Sequence, residues 1–300
     1  MNFDRIRPTI AVDQMQLKHV TFVGGCYGLA QDMVRCGLGS VSHIDFDTID
    51  ASNPARQDFN STDIGRHKAE ALARTLRQIN PEVEVNFLLR DFCDIREDEF
   101  DVTFGHTDLF IFATDFFPAQ ARGNIEALRL RKPAIWIGLY REGRAGEIVY
   151  WVPGVTPACY RCVCSSRYRA FAAQAQTRPN SNGVQSGQAN ATQIPSTGGT
   201  IFDLHLVDAI AGQLAVGILT AGADNRMGRL IHKLGNRSLL QVKIDPDFRL
   251  GDRDIFAEYL GIHPANFTFT TIALPMEPEL HCPDCGMLRG QQEQSTAEAA

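Results

Sequence analysis

The stretch Thr21-Phe-Val-Gly-Gly-Cys-Tyr-Gly28 is a short β-branched and aromatic run that ends in glycines just where helical residues begin. It reads as a strand delivered into a tight strand-to-helix turn. Leu29 to Cys36 leaves room for only about two helical turns before Gly37-Leu-Gly39, and Ser40-Val-Ser-His-Ile-Asp-Phe46 reads as a second strand. Farther out, Thr62-Asp63 is placed to cap a helix carrying Ile64, Leu72, Leu76 and Ile79, which Asn80-Pro81 stops. Strand-like Val83 to Leu88 follows, then Asp108-Leu-Phe-Ile-Phe-Ala-Thr-Asp115, a helical stretch through Leu130, and Pro133-Ala-Ile-Trp-Ile-Gly-Leu-Tyr140. Strand and helix signals alternate, and the strands are continuous apolar runs rather than alternating ones. The expectation is an α/β chain with a doubly wound, mostly parallel sheet covered by helices on both faces.

The composition is that of an ordinary globular chain: 300 residues, 44% apolar, 21% charged, net charge −6. The acidic balance argues against nucleic acid or an anionic membrane as the main partner, because both select basic patches. Charges in Met1-Asn-Phe-Asp-Arg-Ile-Arg7 stand where a signal peptide would carry its apolar core, and the longest apolar candidate, Ala209 to Ala223, is short and broken by Gln213. The expected location is the cytoplasm, where the eight cysteines are free thiols or metal ligands rather than disulfides. Residues 148–202 hold no Asp or Glu, and 171–200 are rich in Ala, Gln, Asn, Ser and Gly. That stretch reads as a long mobile crossover. The chain thus divides into 1–150, a nucleotide-binding half; 151–200, a first Cys pair and crossover; and 201–300, an apolar helix from Ile201 to Thr220, strands, a second Cys pair and a frayed tail after Gly286.

Gly24, Gly25 and Gly28 sit where small residues let backbone amides approach phosphate at a helix N-terminus, although glycines at such a turn also serve as plain turn residues. Asp45, about 20 residues on at the end of the next strand, stands where dinucleotide folds keep their ribose ligand, and Asp47 and Asp50 follow it. The chain continues as Ile44-Asp-Phe-Asp-Thr-Ile-Asp-Ala-Ser-Asn-Pro-Ala-Arg-Gln57 and Asp63-Ile-Gly-Arg-His-Lys-Ala-Glu-Ala-Leu72. Here it resembles the ThiF/MoeB/HesA superfamily of ATP-dependent activators of ubiquitin-like and sulfur-carrier proteins, whose signature runs acidic strand, SN-x-x-RQ, D-x-G-x-x-K. The matching residues are Asp45, Ser52-Asn53, Arg56-Gln57, Asp63, Gly65 and Lys68, continuing to Asn80-Pro81 and Phe112-Ala-Thr-Asp115.

The resemblance implies a Rossmann-like fold binding ATP and Mg²⁺. It implies that Asp45 and Asp47 lie at the ribose, Arg56 and Lys68 at the phosphates, Asn53 and Gln57 as polar contacts, and Asp115 at Mg²⁺. The residue types suit that chemistry: a carboxylate attacking the α-phosphorus builds negative charge that fixed cations must meet, Arg with a planar fork and Lys with a point charge. Read without the resemblance, Arg56 and Lys68 are equally solvated charges and Asp115 an N-cap for the following helix. The loop departs from the superfamily's usual pattern by carrying Cys26 and Tyr27, and Phe116 stands after Asp115 where relatives have Asn. Arg5 and Arg7 are the candidates for an arginine that reaches the nucleotide across a dimer.

Cys159-Tyr-Arg-Cys162 and Cys282-Pro-Asp-Cys285 together supply four thiolates for a tetrahedral structural Zn²⁺. Residues 165–281 contain no cysteine, and Cys164 reads as a spare thiol beside the first pair. The expected function is ATP-dependent adenylation, without a stable enzyme thioester, of the C-terminal glycine carboxylate of a small ubiquitin-like or sulfur-carrier protein. A conjugating protein or sulfur donor would take the product, and the resemblance implies a homodimer. The alternatives are a non-catalytic partner-binding subunit and adenylation of a peptide or small-molecule carboxylate.

Overall fold

The computed structural model describes residues 1–177, 198–250 and 267–286. In chain order its elements are α1 (Val12–Met15), β1 (His19–Gly24), α2 (Tyr27–Arg35), β2 (Ser40–Ile44), α3 (Lys68–Ile79), β3 (Glu84–Leu88), α4 (Glu97–Phe104), β4 (Leu109–Ala113), α5 (Phe117–Leu130), β5 (Ala134–Leu139), β6 (Ala145–Trp151), α6 (Tyr160–Val163), α7 (Ser165–Thr177), α8 (Ile201–Leu219), α9 (Leu230–Leu234), β7 (Arg237–Lys243) and β8 (Thr270–Pro275). One sheet runs in the order β3-β2-β1-β4-β5-β6-β7-β8. Strands β1 to β5 pair in parallel, while β6, β7 and β8 add antiparallel neighbours. The parallel half is the one legible in the continuous apolar runs.

Successive residues on a strand face opposite sides, and the two sides build separate cores. Val20, Phe22, Leu109 and Ile111 pack with Leu29, Met33, Leu72 and Leu214 from α2, α3 and α8. Val23, Phe110, Phe112 and Trp136 pack on the other face with Phe92, Phe100, Leu128 and the cysteine pairs. On this second face the rings of Phe100, Phe110, Phe112, Trp136 and Tyr160 stack in a row, with centroid separations of 5.8, 6.0, 5.4 and 4.8 Å. The row runs under α5, where a Cβ on Gly123 would sit 2.5 Å from the Phe112 ring.

Two local readings change, and the apolar helix expected from Ile201 is found as α8. Helix α3 starts at Lys68 and not at Thr62-Asp63; Asp63 instead closes a capping box with Asn60 around a single 3₁₀ turn, and its carboxylate receives Arg74. Ile64 is therefore exposed. The Ala- and Gln-rich start of the crossover is helical through Thr177, as part of α7, because Ala and Gln are good helix formers; residues 178–197 of that segment, and the tail after Gly286, lie outside the described residues. Helix α8 is 19 residues long and apolar enough by composition to cross a membrane, yet Asp203 and Asp208 interrupt it and it packs on α2, β5 and β6 as a core helix. A Thr200/Asp203 capping box fixes its start.

Because the Gly123 position has no room for a methyl group, Gly123→Ala is expected to overpack the aromatic row and lower stability by about 1–3 kcal/mol, read as a drop in Tm of several degrees. An unchanged melting curve would show that α5 can shift to absorb it.

Candidate functional site

The strands β2 and β4 leave β1 on opposite sides, so their C-terminal ends open a crevice at β1, the place where open α/β sheets bind ligands. Gly24 (φ +79°) leads β1 into the crevice; a Cβ there would come within 3.1 Å of Ala113 O, and one on Gly25 within 3.0 Å. His43 Nε2 donates to Gly24 O at 2.7 Å, and burial holds this imidazole below its ordinary pKa, so it serves as a neutral donor. Cys26, rather than a glycine, takes the left-handed conformation before α2 (φ 66°), and α2 begins without a side-chain cap. Gly28 lies under the Asp58 carboxylate, whose Oδ2 would be 2.5 Å from a Cβ, and His205 Nε2 holds that carboxylate at 3.0 and 3.1 Å. Gly28 thus has a packing reason of its own.

Asp45 is buried at the end of β2. Its Oδ2 accepts the Tyr27 hydroxyl at 2.5 Å and its Oδ1 accepts the Asp47 amide at 2.8 Å. Tyr27 meets His43 edge-on and Phe59 at a tilt, and burial followed by the Asp45 charge raises its pKa well above the usual phenol range, keeping it a donor. Beyond Asp45 the chain zips back on itself. The Ile49 amide donates to Arg66 O at 2.9 Å, the Gly65 amide to Ile49 O at 2.8 Å, and the Lys68 amide to Asp47 O at 2.9 Å. The zip brings Lys68 Nζ to 2.9 Å from Asp47 Oδ2. Within this loop Asn53 Oδ1 accepts the Asp50 amide at 3.0 Å, so its carboxamide oxygen braces the turn. The Gln57 amide donates to Asn53 O at 2.8 Å, while Gln57 Oε1 is buried without a hydrogen-bond partner among the described residues.

Asp115 stands exposed at the end of β4. The N-cap of α5 is Phe116 and takes no side-chain hydrogen bond, so the N-cap reading of Asp115 falls away. Its pKa is raised first by desolvation and further by the Asp47 charge, against the pull of Lys68 and Arg56. The fold therefore gathers Arg56, Lys68, Asp47 and Asp115 into one electrostatic group at the crevice, with Asp45 beneath. Arg7, one of the two N-terminal candidates, is held by Asp13 of the same chain at 2.8 and 2.9 Å.

Below the crevice on the α5 face, Cys159, Cys162, Cys282 and Cys285 are all buried, with their sulfurs within 4.8 Å of one another. Neighbouring sulfurs are 3.6 to 3.8 Å apart, and four ligands at the usual Zn–S length of about 2.3 Å span about 3.8 Å between tetrahedral corners. The donor set fits a closed four-thiolate site. Cys164 lies outside the cluster, buried, with Arg167 Nη1 3.7 Å from its sulfur. Burial raises the remaining thiols: Cys93 is pushed up to about 11, and Cys26 and Cys36 also rise.

Comparison with known proteins shows the family. The ThiF family model matches residues 23–272, and the chain belongs to the ThiF family. It is 27% identical over 180 residues to a ubiquitin-like modifier-activating enzyme 5 of Arabidopsis thaliana, covering 54% of this chain and 39% of that protein. It is 32% identical over 154 residues to the probable adenylyltransferase/sulfurtransferase MoeZ of Mycobacterium tuberculosis, covering 49% and 38%. The chain thus spans about two fifths of the length of these curated relatives. Among solved structures, E. coli MccB with ATP superposes with a TM-score of 0.62 at 17% identity, covering 92% of this chain and 68% of that one, a likeness of fold.

Tyr27, His43 and the buried Asp208 were not legible as site residues, since nothing local marks their partners. Asp208 lies on α8; its Oδ1 accepts the Cys26 thiol at 3.5 Å and its Oδ2 has no partner among the described residues. Its pKa is pushed up to about 7 from an ordinary 3.8, chiefly by burial, with Asp58 and Asp32 adding to the rise and Cys26 and His205 opposing it. The folded chain therefore holds a proton that the unfolded chain releases near 3.8, and the stability this confers is lost as pH climbs toward 7. Asp208→Asn should flatten the decline in the urea midpoint between about pH 4 and pH 8 relative to the parent; parallel curves would refute the assignment. Elemental analysis should give one Zn²⁺ per purified chain, lost in Cys282→Ser; no bound metal would exclude the closed four-thiolate site.

Proposed function

We propose that this chain activates a carboxylate with ATP, forming an acyl-adenylate and pyrophosphate. The observation that carries this is the convergence of Arg56, Lys68, Asp47 and Asp115 at the mouth of the β1 crevice in a chain of the ThiF family. The substrate carboxylate oxygen attacks the α-phosphorus; a new P–O bond forms as the bond to the leaving pyrophosphate breaks. Arg56 and Lys68 meet the charge that accumulates on the phosphates, and the Asp47 partner keeps the Lys68 ammonium at the crevice. Asp45, oriented by Tyr27 and the Asp47 amide, receives the ribose hydroxyls. Asp115 and Asp47 would hold Mg²⁺, which when bound neutralises phosphate oxygens. Gly24 and Gly25 leave the backbone open to the phosphates. The four cysteines hold Zn²⁺ in a structural role, because four thiolates leave no open position.

The substrate is the C-terminal glycine carboxylate of a ubiquitin-like or sulfur-carrier protein, a reading supported by the names of the ubiquitin-like modifier-activating and MoeZ relatives. A homodimer acting in the cytoplasm is part of the same proposal. The raised thiols of Cys26, Cys36 and Cys93 favour release of the adenylate to an external acceptor over an enzyme thioester. A second reading, activation of another peptide carboxylate, is favoured by the likeness over 92% of the chain to MccB, solved in complex with N-formylated MccA.

The purified chain should exchange labelled pyrophosphate into ATP only when a substrate with a free C-terminal carboxylate is present. A Gly-Gly-ending carrier and short peptides are the two arms that separate the readings. Lys68→Ala and Asp115→Ala should each lower exchange by about 100-fold, the scale of removing one transition-state stabiliser. Full rates in both variants would overturn the assignment, as would absence of both exchange and calorimetric ATP binding.

A further inference from the structure

Thr114 and Asp115 join β4 to α5, and their backbone is held from behind by a side chain that the reaction itself does not use. Gln120 Nε2 donates to Thr114 O at 2.5 Å. A carbonyl only accepts, so the Gln120 amide is turned with its nitrogen toward Thr114. Its other end, Oε1, accepts the Tyr160 hydroxyl at 2.5 Å. That hydroxyl is free to donate because it accepts from Arg167 Nη1 at 3.3 Å. Trp136 Nε1 caps the Gln120 backbone carbonyl at 3.1 Å.

One turn along α5, Asn124 faces the same way. Its Oδ1 accepts the Tyr160 amide at 3.0 Å, and its Nδ2 donates to Asp284 Oδ2 at 2.8 Å and lies 3.7 Å from Cys159 Sγ. Both amide side chains are at least 97% buried. Tyr160 lies inside the first cysteine pair and Asp284 inside the second. Two buried carboxamides on one helix face therefore tie the four-cysteine knuckle to the residue preceding Asp115.

We propose that Gln120 is a positioning residue that couples the four-cysteine site to the Asp115 end of the nucleotide crevice. Four buried sulfurs in contact hold one arrangement when a cation binds them and repel or take up protons when none does. Loss of the cation loosens Tyr160, frees the Gln120 amide, and releases the Thr114–Asp115 backbone. The metal site is then a determinant of carboxylate placement as well as a staple. What Asp115 does with that placement rests on the proposed adenylation; the linkage does not.

Amide hydrogen exchange on the full chain tests the linkage without catalysis. Removing Zn²⁺ with a chelator should accelerate exchange at residues 114–119 in the parent. In Gln120→Glu, nearly isosteric but without the donor to Thr114, the segment should exchange fast whether or not metal is bound. Tyr160→Phe, which leaves the Gln120–Thr114 bond in place, should abolish the response to metal. If the segment ignores metal removal in the parent, or if Gln120→Glu matches the parent with its metal retained, the proposal is wrong. Given pyrophosphate exchange in the parent, Gln120→Glu should raise the Mg²⁺ concentration for half-maximal rate by at least ~10-fold, as lost outer-shell partners do, with KM for the carboxylate substrate unchanged. An unaltered Mg²⁺ requirement beside a general loss of rate would reduce Gln120 to a structural role. If the parent shows no pyrophosphate exchange, adenylation falls and the amide data alone decide the linkage.

Discussion

At the ends of β1 and β4 the Gly25 amide donates to Ala113 O at 2.9 Å, and a Cβ at Gly24 or Gly25 would crowd that oxygen at 3.1 or 3.0 Å. The crevice exists because the sheet winds outward in both directions from this point, β2 and β3 on one side and β4 and β5 on the other. Glycine at 24 and 25 lets the two strand ends stay in register to the last residue. The β2 end, with Asp45, and the β4 end, with Asp115, are therefore held a fixed distance either side of one backbone. A side chain at Gly24, where φ is +79°, would strain the turn, and one at either glycine would press on the end of β4 that leads to Asp115. The placement of the charged groups follows from this backbone contact more than from any bond among them.

The motif residues divide into struts and working groups once the loop after β2 is seen whole. Asn53 braces a turn through Asp50, and Asp63, buried and joined to Arg74 and the Asn60 amide, anchors the return strand. Such local side-chain bonds to backbone fix loops that have no sheet to hold them. Their product is the antiparallel zip from residue 47 to 68, which delivers Lys68 to Asp47 and starts α3 there. An Asp, a Gly and a Lys at fixed spacing are therefore one mechanical unit: the first two set the path, and the third supplies the charge at its end.

The parallel half of the fold was legible because strands buried on both faces must be continuously apolar, and the glycine turn and the two Cys pairs are local signals. The four cysteines meet as their spacing suggested, although more than a hundred residues separate the pairs, because thiolate chemistry offers few other uses for two such pairs. The antiparallel half was harder to read: β6 returns on β5 after a five-residue turn, but β7 pairs with β6 from the far side of the crossover and α8, and nothing local marks that pairing. The start of α3 was misplaced because Thr62-Asp63 satisfies the local rule for a cap, while Asp63's partner Arg74 lies a helix away. Tyr27, His43 and Gln120 act through partners 18, 19 and 40 residues off, and none belongs to a residue type or spacing that announces such a role.

Tyr27 bears on whether this loop is a working nucleotide site or the remnant of one. A bulky residue inside a glycine turn reads as an obstruction when only the sequence is considered. In the fold the ring is 2% exposed, packed between Phe59 and His43, and its hydroxyl is spent on Asp45, so it fills core space rather than the crevice. Each carboxylate oxygen of Asp45 has two acceptor positions, and Tyr27 and the Asp47 amide use one on each. The remaining positions stay available to a ribose hydroxyl, on a carboxylate whose orientation is already fixed and whose ordering cost was met on folding. A decaying site has no need of a buried donor aimed at Asp45, the proposed ribose ligand. Together with Arg56, Lys68 and Asp115 kept at one mouth, the Tyr27–Asp45 bond favours a loop reshaped around the nucleotide over a loop that has lost it.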